Sequence, residues 1–213
     1  MTSFSLLRRA LRPAKVALRR VIKRRRLKKQ IAASQPLRVV LGAGGVYEPG
    51  WIATDVDLLD IAKQKDWHRV FTPSTIDTLL AEHVWEHLEP EAGRCAARNC
   101  FTFLKAGGHL RAAVPDGLHP NPQYREWVRP GGSGPGADDH RLLYDYHTFS
   151  AIFATCGFRV ELLEYFDETG VFIYRPWDAS DGMIHRSSRH DERNADGTLC
   201  YTSIVLDALK EAP

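Results

Sequence analysis

Nine residues, 42–50, separate the first two apolar runs of this chain, Leu37–Leu41 and Trp51–Thr54. A crossover between parallel strands normally takes a dozen residues or more, and Pro49 and Gly50 oppose any helix in so short a stretch. The first connection is therefore a loop. It opens with Gly42-Ala43-Gly44-Gly45, residues that let a backbone come close to a ligand. Downstream, Ile76–Ala81, His109–Val114, Phe158–Phe166 and Tyr201–Leu206 predict further strands. Pro90–Leu104 predicts a helix with Ala97, Cys100 or Phe101, and Leu104 on one face, ended by Lys105-Ala106-Gly107-Gly108. His147–Cys156 predicts another, capped by Gly157. Strands alternating with helices predict an α/β fold: a doubly wound, mostly parallel sheet covered on both faces. Ligands of such sheets bind beyond the carboxyl ends of the strands, where the strand order reverses. The residues that end the runs are Gly42–Gly45, Asp55, Glu82-His83 and Pro115-Asp116.

A glycine turn after the first strand and a carboxylate after the second form a general nucleoside-binding pattern, the carboxylate accepting from ribose hydroxyls. Here the turn lacks the full Gly-x-Gly-x-x-Gly fingerprint of dinucleotide sites. Without a helix behind it, no helix N-terminus is available to hold a pyrophosphate. The pattern points to a nucleoside without phosphate.

Four segments together carry a resemblance. Leu41-Gly42-Ala43-Gly44 with Pro49-Gly50-Trp51-Ile52-Ala53-Thr54-Asp55 resembles the start of the class I S-adenosylmethionine-dependent methyltransferases, in a subgroup with a shortened first crossover. Ala81-Glu82-His83-Val84-Trp85-Glu86-His87-Leu88 is similar to their segment after the fourth strand. Leu104-Lys105-Ala106-Gly107-Gly108-His109-Leu110-Arg111 is similar to their turn into the fifth, with Ala106 in place of the usual proline. His140-Arg141-Leu142-Leu143-Tyr144, Phe149 and Cys156-Gly157-Phe158 are similar to their next helix and strand. The resemblance implies a Rossmann-like methyltransferase fold, S-adenosyl-L-methionine as cofactor, and methyl transfer. It implies a cofactor-binding set of Gly42 and Gly44 at the methionine part, Asp55 at the ribose, and Glu82. Asp57 and Asp60 are the alternatives to Asp55. Asp66 and Trp67 stand where the family contacts adenine, and Trp67 reads equally well as core. Gly45 and the missing first helix depart from the family pattern and leave the loop contacts open.

His83-Val84-Trp85-Glu86-His87 fits a His-x-x-Glu-His pattern. On a helix its His83, Glu86 and His87 would share one face and could hold a divalent metal. The competing readings are a hydrogen-bonded helix start and an acid–base role for His83. Candidate bases for a hydroxyl acceptor are His83, His119, Asp139 and His140. His140 ranks first because it follows the Gly131-Gly132-Ser133-Gly134-Pro135-Gly136 loop, a candidate lid. Residues 175–200 form a long polar segment holding Trp177, Asp178, Arg186, Arg189, Asp191, Arg193 and Asn194. Loops of this length are usually functional or disordered, and these side chains suit a small-molecule or glycan-like acceptor, methylated at oxygen.

Twelve of the 29 Lys and Arg lie before residue 35, and no acid precedes Glu48, so the remainder holds 17 basic and 26 acidic residues. Residues 1–36 read as a basic amphipathic arm and linker, and 37–213 as the methyltransferase domain. On the arm, Leu7, Leu11, Ala14, Leu18, Val21 and Ile22 oppose Arg8, Arg12, Lys15, Arg19, Arg20 and Lys23. Such a helix suits an anionic membrane surface. Nucleic acid is disfavoured as a partner because it would meet an acidic body. Two other functions compete with methylation of a small acceptor: a catalytically inactive scaffold that retains the fold, and an RNA methyltransferase using the arm. Cys95, Cys100, Cys156 and Cys200 form no metal-ligand spacing and fit a reducing compartment. Residues 1–213 contain no apolar run of membrane-spanning length. The expected location is cytoplasmic, at the inner face of a membrane.

Overall fold

The computed structural model describes residues 20–45 and 48–212. Helix α1 covers residues 20–33, followed by strands β1 (Arg38–Val40) and β2 (Ile52–Ala53), and helix α2 (Gln64–Val70). Then come β3 (Ile76–Glu82), α3 (Pro90–Phe103), β4 (Leu104–Pro115) and α4 (Pro122–Val128). The chain ends with α5 (Tyr146–Ala154), β5 (Arg159–Phe166), β6 (Phe172–Tyr174) and β7 (Ser203–Leu209).

The seven strands form one sheet in the order β2-β1-β3-β4-β7-β5-β6. β1 to β4 run parallel, β7 is inserted antiparallel between β4 and β5, and β6 is an antiparallel edge strand on β5. The chain leaves β1 toward β2 on one side and returns to place β3 on the other. The ends of β1 and β3 are thus the point where the order reverses.

The shortened crossover is a loop, as its composition predicts. Ala43 N–H donates to Thr54 O and Thr54 N–H to Val40 O, each at 2.9 Å, so the loop folds back onto β2. Gly42 sits at φ +61°, and a Cβ there would lie 2.8 Å from a Val84 methyl carbon. Both the left-handed backbone and the contact require glycine.

Strand alternation sends two sets of side chains to opposite faces. Val39, Leu79, Ala112 and Leu206 pack with Trp67 and Val70 of α2, Ala97, Cys100 and Phe103 of α3, and Phe149 and Phe153 of α5. Pro90 starts α3 where its missing N–H costs nothing, and Asp145 with Thr148 closes a capping box on α5. Val40, Leu80, Ala113, Leu163 and Val205 form the other face. There the expected covering by helices is replaced: Ile184 and Trp177, from the long polar segment, pack on the sheet.

That segment is held by polar groups rising from the strands. Arg111 of β4 is 2% exposed and donates twice to Asp207 of β7, both bonds at 2.8 Å. Its third nitrogen donates to the carbonyls of Asp178 and Gly182. Glu164, fully buried on β5, accepts from Trp177 Nε1 and Ser188 N at 2.8 Å each. Helix α1 is tied to the body, with Leu27 buried in the core and Ile31 packed against it. The packing therefore starts before the expected boundary at residue 37. The segment of the basic pattern before residue 20 lies outside the described residues. Two short helices, α2 and α4, and the edge strand β6 were not anticipated from the sequence.

Candidate active site

A cavity of about 730 Å³ opens at the carboxyl ends of β1 and β3. That is within the usual range for small-molecule sites, roughly 300–1,000 Å³. Gly42 and Gly44 form one wall, and Glu82 and His83, which end β3, the next. Glu86, His87 and His140 form the far wall, and His185, Arg186, Arg193 and Tyr201 close it from the long segment. The cavity thus gathers Gly42, Gly44, Glu82, His83 and His140 of the residues singled out in the sequence. Asp55 stands behind the glycine turn: its carboxylate accepts from Gly44 N at 3.3 Å and Val56 N at 2.8 Å. Glu82 is engaged by the long segment, accepting from Arg186 N at 2.7 Å and His185 N at 3.2 Å.

His83 is one of two non-glycine residues with positive φ among those described, at +55°. Such a backbone is costly outside glycine and is held by its surroundings. Its Nδ1 lies 3.0 Å from Glu86 Oε1 and its Nε2 3.0 Å from Ser203 Oγ. Ser203 donates its own hydrogen to Arg186 O, so His83 Nε2 is the donor in that pair. Both nitrogens of His83 therefore face protein groups. The segment from Trp85 to His87 is a short 3-10 helix, not the α-helix expected, and His83 precedes it.

His140 is brought to the site from a distant part of the chain because the N–H groups of Arg141 and Leu142 donate to Glu86 O, at 2.7 and 3.2 Å. It is buried, and its Nδ1 lies 2.6 Å from Val128 O. A carbonyl only accepts, so Nδ1 carries the hydrogen, and Nε2 is the nitrogen left to act as acceptor or ligand in the Nδ1–H tautomer. His87 meets His140 edge-on, with ring centroids 4.8 Å apart, and its Nδ1 lies 3.4 Å from Asp139 Oδ2.

His119 is corrected as a candidate base, and of the two readings of Trp67 the core one holds. His119 is buried, stacked 4.0 Å from Tyr124, with one nitrogen on Leu199 O and the other accepting from Asn121 N. Neither nitrogen is left for an acceptor. Trp67 is fully buried, donates to Ile61 O and stacks on Phe103, so it presents no face to adenine. Asp66 pairs with Arg69 and Arg24 instead. The residues missed are Tyr201, His185 and Glu48. Tyr201 is covered by the Arg193 guanidinium 3.5 Å above its ring, and Arg193 is fixed by Asp191. Burial pushes the Tyr201 hydroxyl up to about 12, further from ionisation than a free phenol. Tyr201 follows the long segment directly, but nothing local marks it as facing a cavity.

A mostly parallel sheet with one reversed strand between its last two parallel members, and a glycine-lined cavity at the reversal of strand order, is the Rossmann-like α/β arrangement that the sequence resemblance implies. No family model matches the chain, and no curated protein matches its sequence. Among solved structures, it is similar to a SAM-dependent methyltransferase from Archaeoglobus fulgidus, with 14% identity, TM-score 0.47, and 89% of this chain and 92% of that one covered. A second is a SAM-dependent methyltransferase from Thermotoga maritima, at 12% identity, TM-score 0.49, covering 87% and 88%. A third is a phosphoethanolamine N-methyltransferase of Haemonchus contortus solved with S-adenosyl-L-methionine, at 12%, TM-score 0.44, covering 84% and 50%.

Proposed function

We propose that this chain is a methyltransferase that binds S-adenosylmethionine against Gly42, Gly44 and Asp55 and methylates a hydroxyl of a small-molecule or glycan-like acceptor. The observation that carries the reading is the pairing of Asp55 with the Gly44 amide. It sets a carboxylate and a tight glycine turn side by side at the reversal of the sheet, with no helix dipole to hold a phosphate. On the opposite wall, Nε2 of His140 is the nitrogen not taken up by the Val128 carbonyl. In this reading the acceptor O–H gives its proton to that nitrogen as the oxygen attacks the methyl carbon in line with sulfur. The C–S bond breaks and the sulfonium leaves as a neutral thioether. The enzyme's main contribution is alignment, with proton removal adding about 10²–10⁴ in rate. Arg186, Arg193 and Tyr201 supply the polar rim an acceptor rich in hydroxyls would use.

Asp55→Ala is expected to weaken S-adenosylhomocysteine binding by about 1.5–3 kcal/mol, roughly 10- to 150-fold. Calorimetry with the folded variant checks this, and unchanged affinity removes Asp55 from the site.

The reading extends to a surface. Arg20, Lys23, Arg24, Arg25, Arg26, Lys28 and Lys29 crowd α1, and Val21 and Ile22 are exposed beside them. Among the described residues no helix is long and apolar enough to cross a membrane, so contact with anionic lipid would be peripheral. Because Leu27 belongs to the core, the test is charge reversal rather than deletion. Replacing Arg25, Arg26, Lys28 and Lys29 by Glu should abolish co-sedimentation with phosphatidylserine vesicles, and retained binding argues against a lipid role.

A further inference from the structure

The far wall of the cavity contains a buried carboxylate without a hydrogen bond, its one close basic neighbour being the His83 ring. Glu86 is fully buried, and neither of its oxygens makes a hydrogen bond. His83 Nδ1 lies 3.0 Å from Oε1 but off the line a hydrogen bond needs. Among the described residues no Lys or Arg stands within ion-pair distance of Glu86. A carboxylate taken from water without partners is costly by several kcal/mol. Such a group persists where its charge has a use.

Two imidazoles converge on it. One donor atom each from Glu86, His87 and His140 fall within 4.8 Å of one another. His140 already has the second contact that metal-bound histidines make: its Nδ1–H is spent on Val128 O, so Nε2 points its lone pair into the cluster. Asp139 stands 3.4 Å from His87 Nδ1, the position of a carboxylate that orients a ligand ring. Donor atoms about 2.0–2.2 Å from a tetrahedral zinc-sized ion lie roughly 3.3–3.6 Å apart. The set must therefore draw together by roughly 1 Å or a little more on binding. His87, about one-third exposed at its side chain, has the freedom to move.

We propose that Glu86, His87 and His140 bind a divalent first-row transition cation, such as Zn²⁺ or Mn²⁺, at the acceptor end of the cavity. Two imidazoles and one carboxylate select such ions over Mg²⁺ and Ca²⁺, which prefer oxygen ligands. Three protein ligands leave open positions facing the cavity, as in sites that bind a substrate oxygen. The site's role in catalysis rests on the function proposed above. A cation held there would make a hydroxyl bound to it more acidic, and His140 would then serve as a ligand instead of a base.

The test uses the full chain, stripped with EDTA and dialysed, then titrated with Zn²⁺, Mn²⁺ or Mg²⁺ by calorimetry. One Zn²⁺ or Mn²⁺ should bind per chain and Mg²⁺ should not. His87→Ala and Glu86→Gln should each weaken that binding at least 10-fold. Melting curves and S-adenosylhomocysteine binding of the metal-free variants establish that the fold and the cofactor site survive. Should Glu86→Gln fail to fold, His87→Ala carries the test alone. Cofactor binding without cation binding, or cation binding unchanged in His87→Ala, overturns the metal site and leaves the methyltransferase reading standing. Cation binding without cofactor binding does the reverse.

Discussion

Arg111→Ala is expected to lower the stability of the protein by about 3–5 kcal/mol, the range for breaking a buried ion pair from one side. Arg111 is 2% exposed and ties three elements together: Asp207 on the neighbouring strand through two bonds, and the Asp178 and Gly182 carbonyls of the long segment. Its guanidinium also lies 4.9 Å from the Trp177 ring. Truncation strands the Asp207 carboxylate and two carbonyls and opens a hole beneath Trp177. Denaturant unfolding measures the loss. Arg111→Met combined with Asp207→Leu should recover part of it, because no unpaired charge then remains, although the carbonyls still lack their donor. A loss below 1 kcal/mol for Arg111→Ala would mean that the long segment is held by other contacts.

Replacing either of two buried neighbours should expose a pH dependence that each hides in the other. Burial raises the Asp116 carboxyl from 3.8 to about 6, and burial lowers the His119 imidazole from 6.5 to about 4. The folded state thus disfavours both charged forms. For Asp116 the folded protein holds more protons than the unfolded chain between about pH 4 and 6, so its contribution falls as pH rises through that window. For His119 the folded protein holds fewer protons between about pH 4 and 6.5, so its contribution falls as pH drops through nearly the same window. Each is worth about 3 kcal/mol across its range, and with opposite signs they nearly cancel. Asp116→Asn should therefore lose about 3 kcal/mol more than the parent on acidification from pH 6.5 to 4. His119→Gln should gain by a similar amount relative to the parent over the same change. Denaturation at the two pH values checks both, and parallel pH profiles for parent and variants would refute the account.

The helical face of the molecule was legible because its rules are local and periodic. The stripe of α3, the glycine after α5 and the β-branched runs of β1, β3, β5 and β7 each predict their element within a few residues. The glycine turn was legible for the same reason: nine residues cannot hold a crossover helix. The other face was not legible. Arg111, Glu164 and Asp207 interrupt apolar strands, and nothing local marks them as anchors of a segment whose polar composition suggested an acceptor-binding or disordered loop. The site divides in the same way. Gly42, Gly44, Glu82 and His83 end strands, so the sheet itself brings them together. His140 is brought to Glu86 because its neighbours Arg141 and Leu142 donate to the Glu86 carbonyl across more than fifty residues, and no spacing encodes that. His119 carries no local sign that Leu199 and Asn121 occupy both its nitrogens.

The account rests on a phosphate-free nucleoside held at the cavity wall that the Gly42–Gly44 turn forms with Asp55 behind it. Its most direct test is calorimetric titration of the purified chain with S-adenosylhomocysteine and, separately, with NAD. Saturable one-to-one binding of S-adenosylhomocysteine and no measurable heat from NAD is the predicted result. Saturation by NAD with none by S-adenosylhomocysteine would contradict it.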